Sequence, residues 1–126
     1  MTIMVVDDEP DMEVLFRQRF RRAIRAGRVT FVFAASGQDA LDKLETASGA
    51  DVVLILSDIN MPNMNGLELL EQLKARFPET PVVMVTAYSD AGKRDESMAL
   101  GADDYLTKPL DFEMVENLLK RYGAPL

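Results

Sequence analysis

The chain has 126 residues, a formal net charge of -7, 48% hydrophobic and 28% charged residues, and neither Cys nor His. That length suits one domain with one core, and the composition is that of a globular chain, not a disordered one. Disulfides, thiol chemistry, His-ligated metals, His general bases and a histidine phosphodonor are excluded; the acidic balance argues against direct nucleic-acid binding, and no apolar run reaches the roughly 20 residues of a membrane span. Met1-Thr2-Ile3-Met4-Val5-Val6 meets Asp7-Asp8 without a basic leader, so no signal peptide is read and a cytoplasmic location is expected.

Residues 2–6 are a short β-branched apolar run, which predicts a buried strand. Asp7-Asp8-Glu9-Pro10-Asp11 breaks it, with Asp11 as the expected N-cap of a first helix over 11–26. Met12, Leu15, Phe16, Phe20, Ala23 and Ile24 recur at helical spacing and form its expected inner face. Gly27 ends it, and a second strand follows over Thr30 to Ala34. Ser36 with Asp39 resembles a capping box and opens a helix over 37–47, with Ala40, Leu41, Leu44 and Ala47 apolar and Ser48-Gly49 as a turn. Val52 to Leu56 reads as a strand covered on both faces, and Ser57-Asp58 closes it. A third helix starts near Gly66 and shows Leu67, Leu70, Leu73 and Phe77. Val82 to Val85 is a fourth strand ending at Thr86-Ala87, and a polar, weakly periodic helix follows over 90–100. A fifth strand, Asp104 to Thr107, leads into Lys108-Pro109, and Asp111 caps a last helix over 112–122 with Phe112, Val115, Leu118 and Leu119 inward.

Five strands alternating with five helices, all by short connections, predict an α/β fold: a flavodoxin-like doubly wound parallel sheet of strand order 2-1-3-4-5 with helices on two faces. Ligands of such a sheet sit at the carboxyl ends of its strands. Those ends deliver Asp7 and Asp8, Asp58, Thr86 and Lys108, from four adjacent strands. Three carboxylates repel unless a cation intervenes, and an all-oxygen set selects a hard ion such as Mg2+. With that ion and Lys108, Asp58 becomes a nucleophile towards phosphorus, while the Thr86 hydroxyl and the Ala87 N–H hold a further oxygen.

Val5-Val6-Asp7-Asp8-Glu9-Pro10, Ser57-Asp58-Ile59-Asn60-Met61-Pro62-Asn63-Met64-Asn65-Gly66, Val85-Thr86-Ala87 and Ala99 through Leu110 together resemble the receiver domain of two-component response regulators, the CheY-like family. The resemblance implies a receiver over 1–122 and a C-terminal tail, 123–126. It implies that Asp58 is the phosphoacceptor, that Asp8, Asp58 and the Asn60 backbone carbonyl ligate Mg2+, and that Asp7 acts mainly through water. It further implies that Lys108 pairs with the phosphoryl group, that Thr86 and Tyr105 are the switch residues, and that the Lys108–Pro109 bond is cis. The donor would be a sensor histidine kinase or a phosphotransfer protein, docking beside Val14 and Leu15. Receivers linked to DNA-binding domains often form homodimers through the fourth helix, fifth strand and fifth helix, a scheme that Asp103 and Asp104 fit.

Two other functions share the fold class. An FMN carrier needs a Ser/Thr/Gly-rich phosphate loop after the first strand, where this chain has Asp7-Asp8-Glu9-Pro10. A haloacid-dehalogenase-like phosphatase needs a second Asp two residues beyond its nucleophile, where this chain has Asn60. Asn60 and Tyr88, each two residues beyond a motif residue, are candidate determinants of phosphoryl lifetime, with the Tyr88 ring screening water. The arginines of the first helix read as a solvated basic face.

Overall fold

Five strands pair in parallel in the order β2-β1-β3-β4-β5. In this computed structural model residues 1–46, 49–87 and 90–126 are described; the expectations for Ala47, Ser48 and Tyr88 lie outside them. The strands are β1 (Thr2–Val6), β2 (Thr30–Ala34), β3 (Val52–Asp58), β4 (Val82–Ala87) and β5 (Asp104–Lys108). β1, β3 and β4 are apolar almost throughout because helices cover both sides of the sheet. Val53 is the exception, 47% exposed. Thr2 pairs with Val52 and Ile3 with Leu54, so Val53 is the extra residue of a bulge and faces out of the ladder.

Among the described residues the helices are α1 (Pro10–Arg19), α2 (Arg21–Arg25), α3 (Gly37–Leu44), α4 (Gly66–Arg76), α5 (Ala91–Ala99) and α6 (Phe112–Arg121), six where five were expected. The extra one comes from a break at Phe20, whose φ of -104° and ψ of 20° leave the helical region. Its N–H still bonds the Phe16 carbonyl and its carbonyl still accepts from Ile24, each at 3.0 Å. Its ring sits 5.9 Å from Phe16 and 5.4 Å from Phe31, so tertiary packing of an aromatic cluster sets the backbone there. The helix also starts earlier than expected: Glu9 is the N-cap and Pro10 the first helical residue, where its fixed φ and missing N–H cost nothing. Leu15, placed on the inner face by periodicity, is 44% exposed, while Phe16 beside it is buried.

Two apolar clusters flank the sheet. One joins β1, β3, β4 and β5 residues to Phe16, Phe20, Val115, Leu118 and Leu119 of α1 and α6, with Phe20 at the α1–α2 break. Ala124 belongs to it and Leu126 packs on it, through an Ala124 N–H bond to the Leu119 carbonyl of 3.0 Å. The other lies under α3 and α4, with Leu41, Leu44, Leu69, Leu70 and Leu73 against Met4, Ile55 and Met84. Two of the three expected side-chain caps are present, Asp39 N–H to Ser36 Oγ at 3.0 Å for α3 and Glu113 N–H to Asp111 Oδ1 at 2.9 Å for α6, while Asp11 lies inside α1 and caps nothing. Among the described residues no helix is long and apolar enough to cross a membrane.

Candidate functional site

The carboxyl edge of the sheet gathers the site. β3 extends past its apolar run to Asp58 and β5 to Lys108, so both side chains leave regular strand backbone, not loops. The register places Asp58 beside Val85 and Lys108 beside Ala87, bringing residues 50 positions apart into contact. The Lys108 Nζ donates to Asp58 Oδ2 at 2.9 Å and lies 3.5 Å from Asp7 Oδ2. The Asn60 backbone N–H donates to the other oxygen, Asp58 Oδ1, at 3.1 Å. Both oxygens of a buried carboxylate are thus engaged, one by a charge-assisted bond.

Gly66 explains the end of the motif. Its N–H bonds the Ile59 carbonyl at 2.8 Å, and a Cβ there would sit 2.4 Å from both the Asp58 carbonyl oxygen and the Ile59 Cα. Only glycine lets α4 begin this close to the end of β3. Asn63 takes a φ of 67° in the intervening turn, a conformation asparagine tolerates, and Asn65 caps α4 through the Glu68 N–H at 2.9 Å.

Charge is concentrated here. Burial pushes the Asp7 carboxyl up, and the nearby Asp58 and Asp8 carboxylates add to that push; the Glu9 N–H, at 2.9 Å, and Lys108 oppose it, and the net direction is upward. Burial alone would lower the Lys108 ammonium, but its bond to Asp58, together with the charges of Asp58, Asp7 and Glu9, outweighs burial and holds it above its ordinary value. Lys108 is therefore a cation at neutral pH. Carboxylate oxygens of Asp7, Asp8 and Asp58 lie within 4.8 Å of one another, and Asp8 is exposed to solvent. An all-oxygen set of this spacing, with one open side, fits a hard divalent cation.

The Thr86 hydroxyl completes the edge. Thr86 is 2% exposed, and its Oγ1 is a buried side-chain oxygen with no hydrogen-bond partner among the described residues. A buried hydroxyl without a partner costs free energy, which makes sense where a ligand oxygen is to be bound. Tyr105 is half-buried one strand over, and the Arg94 guanidinium carbon lies 5.1 Å from its ring centroid. The Lys108–Pro109 bond is cis. Val14 and Leu15, 52% and 44% exposed, stand on α1 directly after the acidic loop. Beside that loop a cleft of about 260 Å³ runs between Asp8, Glu13, Phe33 and Lys43. One contact carries no local signal in the sequence: Lys93 of α5 reaches 33 positions back to Asn60, its Nζ 3.1 Å from Oδ1.

A buried acid braced by a lysine, two further acids and an unbonded hydroxyl, at the carboxyl edge of a 2-1-3-4-5 sheet, are the arrangement expected of domains that take up a phosphoryl group on an aspartate. The family model described as the response regulator receiver domain matches residues 3–120, and the chain belongs to that family. It is 38% identical over 117 residues to the DNA-binding transcriptional regulator NtrC of Klebsiella pneumoniae, covering 93% of this chain and 24% of that protein. It is 36% identical over 125 residues to the signal transduction histidine-protein kinase BarA of Escherichia coli K12, covering 97% of this chain and 13% of that protein. The chain thus spans a quarter or less of these relatives. Among solved structures, the chemotaxis response regulator CheY4 of Vibrio cholerae superposes with a TM-score of 0.77 at 29% identity, covering 96% of this chain and 97% of that one. The chain is a phosphoacceptor module of two-component signalling. The flavin-carrier and phosphatase alternatives find no support in these likenesses.

Proposed function

We propose that Asp58 accepts a phosphoryl group from a phosphohistidine of a sensor histidine kinase or phosphotransfer protein. An Asp58 oxygen bonds phosphorus while the P–N bond breaks and its electron pair returns to the donor imidazole. The observation that carries this reading is the buried Asp58 carboxylate held by Lys108 at 2.9 Å beside Asp7 and Asp8. Asp7, Asp8, Asp58 and the Asn60 backbone carbonyl are the residues that would hold Mg2+, which supplies neutralising charge for the phosphoryl oxygens. Lys108 bonds a second phosphoryl oxygen, and the Thr86 hydroxyl with the Ala87 N–H takes the third. Recruiting Thr86 satisfies its orphaned oxygen and draws the end of β4 towards Asp58, and Tyr105 turns inward behind it.

Incubation with acetyl phosphate and Mg2+, read by intact mass, tests the reading. One added phosphoryl group, lost in Asp58→Ala, is expected. Continued turnover of small phosphate esters, or a yellow flavin-bearing protein, would favour the alternatives instead.

The donor docks on α1. Val14 and Leu15 are exposed beside the acidic loop, which suits the apolar side of a helical phosphodonor. Val14→Asp slows phosphotransfer from a kinase about tenfold, the effect of roughly 1.4 kcal/mol in the transfer barrier, with an unchanged unfolding midpoint. A normal transfer rate in that variant would remove α1 from the docking surface. A homodimer through α5, β5 and α6 would cover Met98 and Met114, 42% and 58% exposed. Asp103 would contribute little to it, since the Lys74 ammonium at 2.7 Å and the Val82 N–H at 2.8 Å engage it internally.

A further inference from the structure

We infer that Lys93 is a positioning residue that lengthens the life of the aspartyl phosphate by occupying the side-chain oxygen of Asn60. The inference rests on Asp58 being the phosphoacceptor.

Asn60 is tied to Asp58 through its own backbone, whose N–H donates to Asp58 Oδ1 at 3.1 Å. Its side chain is tied elsewhere. Lys93 Nζ lies 3.1 Å from Asn60 Oδ1, across an open cleft of about 290 Å³ that Ile59, Met61, Asn65 and Leu67 also line. An ammonium only donates, so the oxygen end of the amide must face it and the NH2 end must face away. Lys93 is itself placed by the start of α5. Its backbone N–H bonds Asp90 Oδ1 at 3.2 Å, and its ammonium is 3.8 Å from Asp90 Oδ2.

The consequence concerns hydrolysis. Water attacks phosphorus, the new O–P bond forms as the Asp58 O–P bond breaks, and the electron pair returns to the Asp58 carboxylate. A proton passes from the attacking water to solvent or to an oxygen of the departing phosphate. A neutral acceptor near Asp58 orients that water and takes its hydrogen bond, which speeds the step. The Asn60 carboxamide oxygen is a neutral side-chain acceptor two residues beyond Asp58, on a backbone already tied to the Asp58 carboxylate. Held by Lys93, one of its lone pairs is engaged and the other is made less basic by the adjacent positive charge. Lys93 therefore withholds an acceptor from the attacking water.

The test is the decay of the phosphorylated protein after removal of acetyl phosphate, in Mg2+, for wild type, Lys93→Met, Asn60→Ala and the double variant. Methionine keeps the stem of the side chain and loses the donor. Lys93→Met is expected to decay about threefold faster than wild type, the effect of one exposed charge-assisted bond. In the Asn60→Ala background the same change is expected to do nothing, because the oxygen it frees is gone. Unchanged or slower decay in Lys93→Met overturns the inference, as does an acceleration that survives in the double variant. Urea midpoints of the four proteins separate these outcomes from a loss of folding. If wild type takes up no phosphoryl group, the underlying reading of Asp58 fails; if it does and Lys93→Met decays normally, only the role of Lys93 fails.

Discussion

Helices α4 and α5 lie side by side against the same face of the sheet, yet they are held by different means. α4 buries Leu69, Leu70 and Leu73 completely, and Asn65 and Gly66 lock its first turn to the end of β3. α5 buries one residue, Ser97, and that residue spends its hydroxyl on the Lys93 carbonyl of its own helix at 2.8 Å. Met98 projects into solvent. What fixes the start of α5 is polar: the Asp90 cap and the Lys93–Asn60 bridge. An apolar contact is indifferent to charge at Asp58, whereas a polar one at the rim of the site is not. The contrast predicts that a phosphoryl group at Asp58 displaces α5 more than α4, since segments with few buried contacts open at the lowest cost.

The contrast can be broken first by truncation. Leu70→Ala, at a fully buried position, lowers unfolding free energy by about 2–5 kcal/mol, while Met98→Ala changes it by less than about 0.5 kcal/mol, as urea titration would show. A costly Met98→Ala would mean that α5 is anchored as α4 is. Caps come next. Asn65→Ala costs about 1 kcal/mol of global stability, because α4 unfolds only with the core. Asp90→Ala leaves the global midpoint nearly unchanged and instead speeds amide exchange within α5.

The site edge gives the smaller effects. Folding raises the Asp7 carboxyl above 3.8, burial being the main cause. The native state thus favours the protonated acid, so the carboxylate weakens the metal-free fold at neutral pH, and the penalty fades as pH falls towards 3.8. Asp7→Asn is expected to raise the metal-free melting temperature by about 3 °C at pH 7, to lose that advantage below pH 3.8, and to impair phosphorylation. Thr86→Val removes the orphaned hydroxyl at nearly constant shape. Its stability stays within about 1 kcal/mol of wild type, while the response of α5 to phosphorylation is lost.

Much of this was legible in the sequence because strand ends are local. An apolar run that stops at an acid or a lysine announces both a buried strand and its carboxyl edge, which is how Asp7, Asp8, Asp58, Thr86 and Lys108 could be brought together through strand order alone. Caps at Ser36 and Asp111 were equally local. Apart from the N-cap of α1, which falls at Glu9 and not Asp11, the misses share a cause of the opposite kind. The break at Phe20 is set by rings on β2 and α6, the outward turn of Leu15 by Phe16 taking the core position, and the exposure of Val53 by its pairing with β1. Lys93 lies in a weakly periodic stretch, and nothing within its own helix points to Asn60. Contacts made by long side chains across distant segments leave no period to read.

Amide hydrogen exchange, resolved by peptide, on the protein with and without the phosphoryl group at Asp58 tests the central claim most directly. The account predicts that phosphorylation changes protection in α5 and at the adjoining ends of β4 and β5, and leaves α4 unchanged. Equal protection throughout, or a change as large in α4 as in α5, would contradict it.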